Sequence, residues 1–369
     1  MSDKETYFIT GGGTGGHIYP AVAVADMLFE KGNSLYYIGN PQNLEFSIIQ
    51  QKDYRDNFLP VNIHGMPRKF GISLFQWSFQ LIAAVFKCIG YLDKYKPKVV
   101  FGTGGYVSAP ILLACIIKKV PYVMHDCDAQ PGLVTRKLAP YAKSVSLAFE
   151  CAKKTIKNDN CFVGGNPIRP EFKTLTKPEA RKVLGLCEKL TVCIMGGSQG
   201  ARTINDAAVE ILKTLSDKYD VQVIFQTGNK NFERVIEQLI MIYPEYENDK
   251  NLIIKPYFDD MAAVLKASDI AVSRAGSLSL SEIEACSVAS ILVPYPHAAA
   301  DHQRKNAKYM VEKGAALYLE DSDMNEKTLL ENIVSLITNP EKLHSLQEAA
   351  LKLAKFDGVE NIVEQLENV

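Results

Sequence analysis

Three glycine-rich stretches could do chemistry on a phosphate or a proton. Residues 11–17 read GGGTGGH, residues 102–110 GTGGYVSAP and residues 196–202 GGSQGAR. Glycine lets a ligand approach the backbone closely, and the free N–H groups and positive dipole end at a helix start receive anions. Ser198 and Gln199 would add hydroxyl and amide donors. His17 adds an imidazole, which titrates near neutrality and can take a proton. A turn needing positive φ and close strand–helix packing would explain one or two glycines of the first loop, not five plus a histidine. Gly11, Gly13 and Gly16 satisfy G-x-G-x-x-G, yet the dinucleotide fingerprint also needs an acid about 20 residues on. The second strand ends YYIGNPQN, without one. A Walker A loop is excluded because His17 and Ile18 follow Gly16. No cofactor is expected.

These loops need elements to hold them, and the chain supplies strand–helix alternation. YFIT, SLYYIG, NFLPV, VVFGTGG, VPYVMHD, KSVSLAF and CFVGG alternate with segments of helical period, which argues βαβ units and a parallel sheet. The pattern pauses at GGNPIRPEFKTLTKPEA and resumes with LTVCIMGG, VQVIFQTG, NLIIKPYF, DIAVSRAG, ASILVPYP and AALYLE. The expected organisation is an N-terminal domain over 1–163, a second over 164–338, and C-terminal helices over 339–369 packing back towards the first. The two Rossmann-like domains should face a crevice at the carboxyl ends of their sheets, where ligands bind in open α/β folds.

Bulk properties agree. A chain of 369 residues with 47% hydrophobic content exceeds one compact core. With 41 basic and 42 acidic side chains, the balance favours no nucleic acid. The eight cysteines contain no C-x-x-C pair, which fits a reducing cytoplasm. The N-terminus has no signal-peptide pattern and no run of about 18 uncharged apolar residues occurs, so neither export nor a membrane span is expected.

TGGGTGGHIYPAVAVA, GTGGYVSAP, GGNPIRPE, MGGSQGA, QTG, DDMAAVLKASDIAVSRAGSLSLSEI and ILVPYPHAAADHQRKNA resemble, in that order, the MurG family of peptidoglycan glycosyltransferases. The resemblance implies a GT-B fold and inverting transfer of N-acetylglucosamine from UDP-N-acetylglucosamine to the 4-hydroxyl of a muramoyl-pentapeptide diphosphate lipid, turning lipid I into lipid II. It implies a peripheral enzyme at the cytoplasmic membrane face, and leaves a cell-wall synthesis complex open as a partner. His17 would be the base. Donor contacts would come from Thr14, Gly15, Gly16, Arg169, Gly197, Ser198, Gln199, Gly200, Glu282, His302 and Gln303. The N–H groups around Gln199 and Gly200 would receive diphosphate oxygens. Acceptor contacts would come from Gly104, Gly105, Tyr106, His125 and Asp128. Asn306 would cap or order its helix.

Some readings compete. Ser279-Leu-Ser-Glu282 also reads as a capping box. Where the family usually has HEQN, this chain has His125-Asp-Cys-Asp128, which puts acceptor positioning in question. No metal is expected there, because adjacent strand residues point in opposing directions. A helix over about 72–94 carries Ser73, Gln76, Gln80, Lys87 and Lys94 on one stripe. Ile72, Phe75, Trp77 and Phe79 beside Arg68 and Lys69 would suit an interfacial patch, or the helix is simply buried. The alternatives to the resemblance are a GT-B enzyme with another lipid or small-molecule acceptor, and a non-catalytic nucleotide-sugar-binding protein.

Overall fold

The computed structural model describes residues 4–67, 71–197 and 199–369. Two compact units divide the chain: Met1–Ile168 with Lys355–Val369, and Arg169–Ala354.

The first unit is built on seven parallel strands in the order β3-β2-β1-β4-β5-β6-β7. These are β1 (Thr6–Thr10), β2 (Ser34–Gly39), β3 (Phe58–Pro60), β4 (Val99–Gly102), β5 (Tyr122–Asp126), β6 (Ser144–Leu147) and β7 (Cys161–Val163). Strand β1 is interior, with Tyr7 beside Leu35 on one side and Val99 on the other. Parallel strands must be covered on both faces, and their near-continuous apolar runs follow from that. Tyr7, Ile9, Leu35 and Tyr37 pack with Ile18, Val22, Ala25 and Leu28 of the helix Gly15–Glu30 on one face. Phe8, Ile38, Val100 and Met124 pack with Cys88, Leu92, Ile111 and Cys115 of the helices Ile72–Tyr95 and Gly105–Lys118 on the other.

The second unit has six parallel strands in the order β10-β9-β8-β11-β12-β13. They are β8 (Thr191–Met195), β9 (Gln222–Gln226), β10 (Leu252–Lys255), β11 (Ile270–Ser273), β12 (Ala289–Leu292) and β13 (Ala316–Tyr318). Strand β8 pairs with β9 and β11, as β1 pairs with β2 and β4, so each unit reverses direction at its first strand. That reversal is where doubly wound sheets place ligands.

The last two helices part company. Pro340–Leu353 belongs to the second unit, packed on Ser277–Ala285 and β12. Only Gly358–Glu367 joins the first unit, where Val359, Ile362, Val363 and Leu366 enter the core beside the helix Gly15–Glu30. The expectation that both return is thereby narrowed to one, since the apolar positions of each helix match a different partner.

Candidate functional site

In the first unit the ends of β1, β4 and β5 bring three junctions together around His17. A side chain on Gly11 would collide with the Thr103 hydroxyl and the His17 carbonyl, and one on Gly12 would meet Glu45 at 2.5 Å. Gly13 has φ +85°, and a Cβ added there would stand 2.8 Å from the Tyr106 ring. Packing thus accounts for three of the five glycines, more than the loop sequence suggested. Gly15 and Gly16, at the helix start, keep more room. Thr14 is the N-cap and makes no side-chain cap bond.

His17 is fixed through its backbone, because the Thr103 hydroxyl donates to its carbonyl oxygen at 2.7 Å. Its Nδ1 lies 4.0 Å from Cys127 Sγ. The opposite edge of the ring faces Gly105, where an added Cβ would stand 3.0 Å from Cδ2 and 3.4 Å from Nε2. Gly104 and Gly105 have φ +76° and +70°, values open to glycine, and they start the next helix.

Glu45 was not anticipated from the sequence. Fully buried, its carboxylate accepts from the N–H of Gly13 (3.2 Å) and Asn40 (3.1 Å) and from the Asn43 amide (3.2 Å). Asn43 also donates to the Tyr106 hydroxyl at 3.1 Å. One carboxylate therefore braces the first glycine loop and, through Asn43, the tyrosine that covers it. The only sequence signal was an acid near the start of a short helix, which reads equally as a dipole partner.

His125 departs from the acceptor role. It is fully buried, with Nδ1 3.2 Å from Ser146 Oγ and Nε2 3.1 Å from Asn166 Oδ1. Burial holds its pKa down to about 4, so the ring is neutral and ties β5 to β6 and to the segment after β7. The carboxylate of Asp126, also buried, accepts from the N–H of Asp128 (3.1 Å) and Gly132 (3.0 Å). Burial raises its pKa. Because β5 ends at Asp126, strand alternation stops there: one ligand atom each of Asp126, Cys127 and Asp128 lies within 4.8 Å of the others. The argument from opposing directions does not hold at this junction.

In the second unit the β8 junction interlocks with the β9 junction. Side chains on Gly200 (φ +75°) and Gly228 (φ +82°) would each strike the other loop's backbone. The Gly200 N–H donates to Gly197 O at 3.0 Å, so it is engaged within the loop and not directed at a ligand. Asn205 donates to Thr227 O (2.8 Å) and Asn231 to Gln199 O (3.1 Å). Ser198 lies outside the described residues.

The helix Ser277–Ala285 starts from Gly276, which puts Glu282 in its interior and removes the capping-box reading. Burial pushes the Glu282 carboxyl up to about 7, with the Arg169 guanidinium pulling the other way. Gln303 Oε1 accepts from the Tyr295 N–H at 2.9 Å, which orients its NH₂ group. His302 Nδ1 lies 2.7 Å from Ala299 O. Asn306 is buried and donates to Ala275 O at 3.2 Å, joining its helix to the β11 junction. Arg274, also unanticipated, donates to Val293 O (3.1 Å), Thr203 Oγ1 (3.1 Å) and Asp321 (2.5 Å), binding four segments at one sheet edge.

The helix Ile72–Tyr95 is neither buried nor uniformly polar outside. By length and composition it is long and apolar enough to cross a membrane, where no such stretch was expected. Ala84, Cys88 and Leu92 pack inward, while Ile72, Phe75, Phe79, Ile82 and Phe86 are more than half exposed. Trp77 is turned back, its Nε1 donating to His64 O at 2.7 Å, and Arg68 and Lys69 lie outside the described residues.

Two parallel-sheet units, each with glycine junctions at its reversal point, give the two-unit α/β fold called GT-B. The comparisons agree. Residues 7–147 match the glycosyltransferase family 28 N-terminal domain and residues 191–365 its C-terminal domain. The chain is 34% identical over 365 residues to the UDP-N-acetylglucosamine--N-acetylmuramyl-(pentapeptide) pyrophosphoryl-undecaprenol N-acetylglucosamine transferase of Desulforamulus reducens, covering 98% of each chain. To the protein of that name from a Thermoanaerobacter species it is 35% identical over 367 residues, covering 98% of this chain and 99% of that one. Among solved structures, Acinetobacter baumannii MurG aligns with TM-score 0.79 at 25% identity, over 99% of this chain and 100% of that one. The chain belongs to this family of UDP-N-acetylglucosamine--N-acetylmuramyl-(pentapeptide) pyrophosphoryl-undecaprenol N-acetylglucosamine transferases. The UDP-GlcNAc 2-epimerase of Neisseria meningitidis shares only the fold, with TM-score 0.67 at 14% identity, 99% of this chain and 100% of that one being covered.

Proposed function

We infer that this protein transfers N-acetylglucosamine from UDP-N-acetylglucosamine to the 4-hydroxyl of a muramoyl-pentapeptide diphosphate lipid, the step from lipid I to lipid II in peptidoglycan synthesis. The observation that carries this reading is full-length identity of 34–35% to transferases of that name. The acceptor oxygen attacks the anomeric carbon, the bond from that carbon to the UDP oxygen breaks, and the hydroxyl proton passes to a base. In the first unit His17 is our base: its ring stands at a glycine-walled sheet edge, and Gly105 leaves its Nε2 edge uncovered by side chain. Gly104, Gly105, Tyr106 and Asp128 are the acceptor contacts.

In the second unit Glu282 accepts from ribose hydroxyls, Gln303 reads the sugar, and Arg169, Gly197, Ser198 and Gln199 are the diphosphate contacts. In the first unit Thr14, Gly15 and Gly16 keep the donor role that the resemblance gives them, and His302 has the same role in the second. A carboxylate partly desolvated before ligand arrives gains most from accepting hydrogen bonds donated by hydroxyls. The exposed row Ile72, Phe75, Phe79, Ile82 and Phe86 seats the enzyme at the membrane surface, where its lipid acceptor resides. We place it at the cytoplasmic face as a peripheral protein, within reach of other wall-building enzymes.

The test is transfer of labelled N-acetylglucosamine to a short-chain lipid I analogue, wild type beside His17→Ala. Transfer that is lost in the variant, with UDP-N-acetylglucosamine still bound, supports the reading. Donor binding without transfer in the wild type points to another acceptor, for which the Asp126-Cys127-Asp128 segment is the reason to look.

A further inference from the structure

We propose that His17, Cys127 and Asp128 form a binding site for a thiophilic divalent cation of the zinc class. The ligand atoms come from two separate elements. Nδ1 of His17, at the start of the first helix, is 4.0 Å from Sγ of Cys127, beyond the end of β5. A carboxylate oxygen of Asp128 lies within 4.8 Å of that sulfur. Zinc binds imidazole nitrogen at about 2.0 Å and thiolate sulfur at about 2.3 Å, which puts the two ligands about 3.5 Å apart in a tetrahedral site. Between these two ligands the present gap closes by about half an ångström.

Both arms are held before any ion arrives. Thr103 fixes the His17 backbone at 2.7 Å, and the Asp126 carboxylate fixes the turn carrying Cys127 and Asp128 by accepting from the N–H groups of Asp128 and Gly132. Asp126 is a support here. The mixed nitrogen, sulfur and oxygen set selects zinc or cobalt over magnesium or calcium, which take oxygen ligands. Binding displaces the thiol proton, which leaves to water, and three protein ligands leave a fourth position open. An imidazole held by the cation cannot take a proton from an acceptor, so occupancy stops transfer. That last consequence rests on His17 being the base.

The experiment titrates full-length protein with Co²⁺ and records the near-ultraviolet thiolate-to-cobalt charge-transfer band. The expected result is a saturable band at one equivalent, displaced by Zn²⁺ and absent from Cys127→Ala. In the transfer assay Zn²⁺ inhibits the wild type, a chelator restores it, and Cys127→Ala requires at least tenfold more Zn²⁺, each protein being compared with its own metal-free rate. Asp128→Asn, which keeps the shape, falls between. If Cys127→Ala unfolds, Cys127→Ser takes its place. No band in the wild type, or an equal band without the Cys127 thiol, overturns the site. A cobalt band with no inhibition retains the site and removes His17 as base.

Discussion

The loop after β1 is braced from beneath by a buried carboxylate, Glu45, whereas the loop after β8 is braced by amides and by the backbone of its neighbour. The two stretches share paired glycines, a hydroxyl residue and a following helix. They differ in what surrounds them. The first loop stands among titratable groups, namely Glu45, His125, Asp126, Cys127 and His17. The second is held by Asn205, Asn231 and Gln226. In the proposed reading the first loop handles a proton, which nearby titratable groups assist, and the second receives the diphosphate through neutral donors.

The sharpest break in that comparison is at His17. His17→Ala should lower the transfer rate by about 10³-fold, the scale of a lost general base, with the donor KM within about twofold. A large rise in donor KM instead would move His17 into the donor site. Next come the braces themselves. Glu45→Ala leaves three donors without their acceptor and should cost about 3 kcal/mol in the first unit, against about 1–2 kcal/mol for Asn205→Ala in the second. Hydrogen exchange resolved by peptide measures each unit separately, and the reverse order would end the distinction.

Glu282 is a strongly shifted acid of the second unit. Its carboxyl titrates near 4.5 when unfolded and about 7 when folded, so the folded state holds the proton more tightly. Stability therefore falls as pH rises through that window, and the full cost is present above pH 7. Glu282→Gln should stabilise the second unit by about 3 kcal/mol at pH 8 and have no effect at pH 4, while raising donor KM about tenfold. Exchange at the two pH values checks it. His125 works the other way. With its pKa near 4 in the folded state and 6.5 as a free imidazole, stability is lost as pH falls from 6.5 to 4. The first unit should lose about 2 kcal/mol between pH 7 and pH 5, a loss that His125→Gln removes, as read by acid-dependent exchange.

What the sequence could tell depended on how local the signal was. Strands and their glycine junctions were readable because apolar runs ending in glycine before a helical period are a feature of neighbouring residues. The unshared parts were contacts across the fold. Glu45 reaches Gly13 over 32 residues, and nothing near Leu44 signals that a carboxylate is wanted there. His125 sits in a strand whose five residues are all buried, so no alternation showed that its ring points into protein. The capping box at Ser279 failed because the helix starts two residues earlier, at Ser277, where a glycine serves as cap. The terminal helices were visible as helices, but their partners depended on which apolar faces lay opposite.

The return of Gly358–Glu367 to the first unit bears on how the molecule is made. Residues Arg169–Ala354 form one unbroken stretch and can close as soon as they leave the ribosome. The first unit, although synthesised earlier, waits for Val359, Ile362, Val363 and Leu366 to fill its core. The part of the chain born first is therefore completed last, and a nascent chain stopped short of residue 358 carries an unfilled groove along its opening helix.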